Sequence, residues 1–216
     1  MSSSNVLATR EIMWNIPYSF KVTMYVLLII SFSIMIYGIY QKLQFVLGGK
    51  KLKDIIGPSG LIKKLSDLNW KNFFQTIFFT GKVSRDANVG FFHALIYYGF
   101  IVLWIATDLV AIHYDTPFKV FQGPVYIIVS FLADFAGLTI ITGILLAYKR
   151  RYIDRPEKLS ATKPNQEKVM YAFLLVLVII GFIIEGVRIL GTGMPEGEKM
   201  WAPVGYSLAL LFQSFN

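Results

Sequence analysis

GFFHALIYYGFIVLWIATDLVAIHYD, residues 90–115, decides what kind of molecule this is. The run is apolar enough to cross a bilayer as one helix, because about 20 such residues at 1.5 Å each match the hydrocarbon thickness. Both histidines of the chain lie inside it, His93 near one end and His113 at the other. A ligand-type side chain is expensive to place at membrane depth and therefore marks a functional site by default. Imidazole is also the usual axial ligand of a haem held between helices. The stretch reads as a crossing that carries part of a haem-bearing electron-transfer site.

Composition supports the membrane reading. Of 216 residues, 55% are hydrophobic and only 16% charged, more apolar surface than a water-soluble domain of this length can bury. The formal charge of +8 does not indicate nucleic acid, since the lysines and arginines gather between apolar spans and no folded module presents them. The chain has no cysteine, which excludes disulfides, a thiolate zinc site and a Cys-ligated iron–sulfur cluster within it.

The expectation is an all-α, polytopic membrane bundle over residues 1–216, with crossings at about 22–41, 90–112, 124–148 and 169–190. Tyr25, Tyr37 and Tyr40 flank the first crossing as interfacial anchors. The connections 42–89 and 149–168 are basic, and Trp70 to Thr80 reads as an amphipathic helix, on the membrane surface or packed on the end of the bundle. Gly191, Gly193 and Pro195 break the fourth crossing, and the apolar piece from Trp201 to Phe215 is too short to cross unaided. Nothing at the N-terminus has the form of a cleaved signal peptide. By the positive-inside rule the two basic loops are cytoplasmic and the N-terminus faces outward, in a prokaryotic cell membrane.

The candidate ligands are His93 and His113, but they cannot share one iron. Twenty helical residues span about 30 Å, and at 3.6 residues per turn the two imidazoles point about 200° apart. Small residues around His93 (Gly90, Ala94, Gly99) leave room for a flat macrocycle or for a close helix. His113, beside Tyr114 and Asp115, reads equally as an interfacial histidine. Arg188 either neutralises Glu185 three residues away or holds a haem propionate. Arg150 and Arg151 allow the same two readings, propionate contact or stop-transfer cluster. Asp108 and Asp134 are either proton- or quinol-binding groups or buried hydrogen-bonding acids.

Taken together, several motifs resemble a known family. They are Arg10-Glu11 with Trp14-Asn15-Ile16-Pro17; Gly90, His93, Gly99-Phe100 and Thr107; Asp134 and Gly137; Arg150-Arg151-Tyr152 to Arg155-Pro156; Glu185-Gly186 with Arg188-Ile189; and Trp201 with Pro203-Val204-Gly205-Tyr206. The chain looks like the nitrate reductase gamma-subunit-like membrane domain of heterodisulfide-reductase-related iron–sulfur oxidoreductases, of the electron-transferring flavoprotein:menaquinone type. The resemblance implies a five-helix b-type cytochrome with haem b on His93. It also implies menaquinone, an iron–sulfur polypeptide and an electron-transferring flavoprotein as partners. In the family a further histidine-bearing helix and an iron–sulfur domain follow, and this sequence contains neither. The expectation is that another segment supplies the second ligand, and that the chain passes electrons between the quinone pool and a cytoplasmic oxidoreductase. Two rival readings are a haem-free anchor that docks such an enzyme through its basic loops, and a small transporter or proton channel using Asp108, Asp134 and Glu185. Against the transporter, no internal repeat or pair of broken helices is visible.

Overall fold

The computed structural model describes residues 9–10, 12–13, 15–46, 69–72, 75, 87–154 and 164–215. Among these the chain is helical: α1 Tyr18–Val46, α2 Ala87–Asp115, α3 Pro124–Tyr148, α4 Pro164–Gly191, a four-residue α5 Glu198–Trp201, and α6 Pro203–Gln213. A π-helical turn, Lys149–Asp154, extends α3. The described residues contain no strand, only an isolated antiparallel bridge between Thr9 and Gln122. Four of the helices are long and apolar enough to cross a membrane, so the expected all-α membrane bundle is what the chain forms. Most of the amphipathic helix expected at 70–80 lies outside the described residues.

The chain divides into two compact units, Met13–Phe79 and Met1–Ile12 with Thr80–Asn216. The first contains α1. Its side chains are exposed almost throughout, as lipid-facing residues would be. Polar groups within it turn inward to its own helix: Ser33 Oγ donates to Ile29 O at 2.8 Å and Thr23 Oγ1 to Ser19 O at 2.9 Å. Toward its C-terminus Gln41 donates to Tyr37 Oη at 2.9 Å, a polar rim of the kind found at a membrane interface.

The second unit is built on α3. Lipid provides no hydrophobic drive between helices, so close contact depends on small residues that let backbones approach. A Cβ at residue 99 of α2 would lie 3.0 Å from Ala136 O, and one at residue 143 of α3 would lie 2.9 Å from Phe92 O. Gly99 therefore serves a close helix, not a macrocycle. Ile140 and Ile144 of α3 and Val178 of α4 are buried between the helices. Gly143→Val should force α2 from α3. We expect a loss of about 1–3 kcal/mol, the usual cost of overpacking, measured as lowered unfolding temperature in detergent.

The apolar tail folds back. Gly193, at φ 82°, lets the chain reverse after α4, and α6 then packs on α4 around Ile189, Ala202 and Ala209. At its start Pro203 has no N–H to satisfy, and the next amide, Val204 N–H, donates to Asp134 Oδ2 at 2.7 Å. A buried carboxylate from the middle of α3 thus caps a helix that begins 69 residues later, counted from Asp134 to Pro203. Asp134→Ala should cost about 1–3 kcal/mol by leaving that amide unsatisfied, with Asp134→Asn milder; thermal unfolding in detergent reads both.

Candidate functional site

Four charged side chains meet at the end of the bundle opposite the basic connection. Glu185 and Arg188 lie one turn apart on α4, and the guanidinium binds the carboxylate twice, Nε to Oε2 at 3.2 Å and Nη2 to Oε1 at 2.8 Å. Arg188 Nη2 also reaches Glu198 Oε1 at 3.1 Å, and Tyr126 Oη donates to the same oxygen at 2.6 Å. Arg10 completes the set, with Nη2 2.8 Å from Glu185 Oε2. Two cations and two carboxylates balance. Arg188 is 8% and Glu198 3% exposed, so these charges are held away from solvent and need one another.

Next to this cluster is a cavity of about 440 Å³. Helices α2 and α4 each pack on α3, and the cavity is the cleft between them with α3 as its floor. Phe100, Leu103, Phe121 and Phe182 give it apolar walls, while Thr107, Ser130, Asp134, Glu185 and Arg10 are its polar groups. Neither histidine lines it. Gly181 lies on its α4 wall, exposed, with nothing within 4 Å of where its Cβ would be. Size, apolar lining and a few convergent polar groups are the attributes of a small-molecule site.

The chain is similar to part of a quinone-linked enzyme. It is 29% identical, over 209 residues, to the EtfAB:quinone oxidoreductase of Syntrophomonas wolfei subsp. wolfei. The match takes in 94% of this chain, which spans about 28% of the length of that relative. No family model matches the chain. No solved structure matches it either.

The structure separates the two histidines as their spacing requires. His93 is half-buried with its ring nearly parallel to that of Tyr97, centroids 6.1 Å apart and planes at 17°. Its Nδ1 is buried and has no hydrogen-bond partner among the described residues. His113 instead organises the connection after α2. Its Nδ1 accepts from Phe121 N–H at 3.0 Å, and its carbonyl accepts from Lys119 Nζ at 2.7 Å. A neutral imidazole that accepts at Nδ1 carries its proton on Nε2, leaving neither lone pair for a metal.

Whether these residues suit the expected haem b can be judged from the donor set. Bis-histidine iron needs a nitrogen on each of its faces. His93 offers a nitrogen without a partner, His113 sits at the far end of α2 with its own nitrogen engaged, and the described residues contain no group of three or more metal-ligating side chains. The described residues do not by themselves form a haem site.

The arginines expected at propionates have other partners. Arg188 is held by Glu185 and Glu198, as above. Arg151, buried in the π-helical turn, places Nε 2.6 Å from Glu167 Oε2 and ties the end of α3 to the start of α4. Arg150 is half-buried beside it, and Lys168 Nζ lies 5.0 Å from the centre of the Tyr152 ring. Arg10 entered the sequence reading only as part of a motif, with no role assigned, and Glu198 was not marked at all. The sequence signal there, an acid between a glycine-rich turn and an apolar tail, is shared with Glu196 and does not single out Glu198.

Proposed function

We propose that the chain is a membrane component of a quinone-linked electron-transfer system and that the cleft between α2 and α4 receives the quinone ring. The observation that carries this is the cavity: apolar walls for a ring, polar groups for its oxygens, and an exposed glycine on its α4 wall. The name of the relative supports the same substrate class. Reduction of the ring takes two electrons and two protons, and the electrons come from a redox centre on a partner. An iron–sulfur polypeptide or an electron-transferring flavoprotein fits that role, docked on the basic loops and passing electrons on through a centre nearer the cleft, with menaquinone as the quinone. The distribution of lysine and arginine supports an orientation with those loops in the cytoplasm and the N-terminus outside, in a prokaryotic cell membrane.

Gly181→Leu tests the site. A Cβ there meets no atom of a neighbouring helix within 4 Å, so a larger side chain on the cleft wall can narrow the cleft without pushing the helices apart. We expect vesicles bearing the variant to bind a naphthoquinone probe, menadione, about tenfold more weakly or worse than wild type, with helix content by circular dichroism unchanged. Unchanged menadione binding would remove the cleft from consideration.

A further inference from the structure

We propose that Arg10 is the group that recognises a quinone carbonyl oxygen, carried to the cleft on the N-terminal segment and aimed there by Glu185. The proposal rests on the cleft being the quinone site. Three observations lead to it. The segment bearing Arg10 is fastened beside the cleft twice, by the bridge between Thr9 and Gln122 and by the ion pair to Glu185 at 2.8 Å. The Arg10 side chain is 28% exposed and lines the cavity, whereas Arg188, the other arginine of the cluster, is 8% exposed and committed to two carboxylates. The other acids lining or flanking the cleft are already engaged: Asp134 caps α6, and Glu198 holds Tyr126 and Arg188.

The chemistry suits the assignment. A guanidinium has five N–H donors in a fixed fork, more than one carboxylate can accept, and it stays protonated at any working pH. Quinone oxygens are acceptors, and they gain negative charge as the ring takes electrons. A fixed cation in an apolar cleft stabilises that charge more strongly than water-exposed donors do. Glu185 is then a positioning residue, whose second oxygen is anchored by Arg188 so that Arg10 is held at one angle.

Two probes with the same carbon skeleton, one with carbonyl oxygens and one without, provide the test, menadione and 2-methylnaphthalene, each measured on vesicles bearing the full chain against vesicles of the same lipid. Arg10→Gln should weaken menadione by about tenfold, the size of a lost charge-assisted hydrogen bond, and leave methylnaphthalene unchanged. Arg10→Lys should recover part of the loss, and Glu185→Gln should weaken menadione selectively by a smaller factor. Equal weakening of both probes by Arg10→Gln would make the segment a mere wall of the cleft and overturn the proposal. So would menadione binding that survives Arg10→Gln while Gly181→Leu abolishes it, an outcome that leaves the quinone site standing. If Gly181→Leu leaves menadione unaffected, the site itself falls and Arg10 with it.

Discussion

Replacing Arg188 with leucine should destabilise the unit that contains it by about 3–5 kcal/mol, the largest effect on stability expected of any substitution in this chain. The cause is what remains. Without the guanidinium, Glu198 keeps only the hydroxyl of Tyr126, and Glu185 keeps only Arg10 at 2.8 Å. A carboxylate 3% exposed then has no cation beside it, and an uncompensated buried charge costs far more than the pair contributed. Adding Glu198→Gln to Arg188→Leu should recover much of the loss, since the pair leaves together. Denaturant unfolding of the purified chain in detergent, followed by helix content, measures both. A double-mutant cycle gives the coupling between the two residues. A change below about 1 kcal/mol for Arg188→Leu would mean that these charges behave like an exposed surface pair and that the cluster is not closed.

That cluster also marks how far the sequence could be read. The crossings were legible because uninterrupted apolar runs of the right length have few other uses, and the opposed directions of His93 and His113 follow from helical pitch alone. The pairing of Glu185 with Arg188 was legible because both lie one turn apart on one helix. What could not be read is any partner set by the fold. Tyr126 and Glu198 are 72 residues apart, and Asp134 and Val204 are 70 apart. No local rule joins them. Glu198 was hidden for a further reason: an acid after a glycine-rich turn looks like a loop residue in water, yet the return of α6 onto α4 buries it. Gly99 was left between a macrocycle and a close helix, and only the position of α3 distinguishes the two. Arg10 was noticed as part of a motif, but its role depends on a backbone bridge from Thr9 to Gln122 that no sequence pattern announces.

A reduced-minus-oxidised spectrum of the purified chain should lack the α-band of a b-type cytochrome, because the described residues place a nitrogen for iron on one side at most. The face of α2 that bears His93 explains why. At 100° per residue, Tyr97, Trp104 and Asp108 lie about 20–60° to one side of His93, while Ile96, Leu103 and Gly99, which pack toward α3 or border the cleft, lie about 60–120° to the other. Trp104 is 66% exposed, so that face is not covered by α3. A second imidazole would have to come from a further segment against it. If a partner polypeptide or a further part of a longer chain brings one, the band should appear on assembly. His93→Ala should then abolish it entirely, and His113→Ala should leave it intact, because His113 has its Nδ1 committed to Phe121 N–H on the opposite side of the helix. Two results would overturn this: a b-type band in the chain alone, or a band in the assembled complex that survives His93→Ala. The first would mean that His113 or a residue outside those described completes an iron site within the chain. The second would place the iron away from α2 and return His93 to the role of a polar side chain stacked on Tyr97.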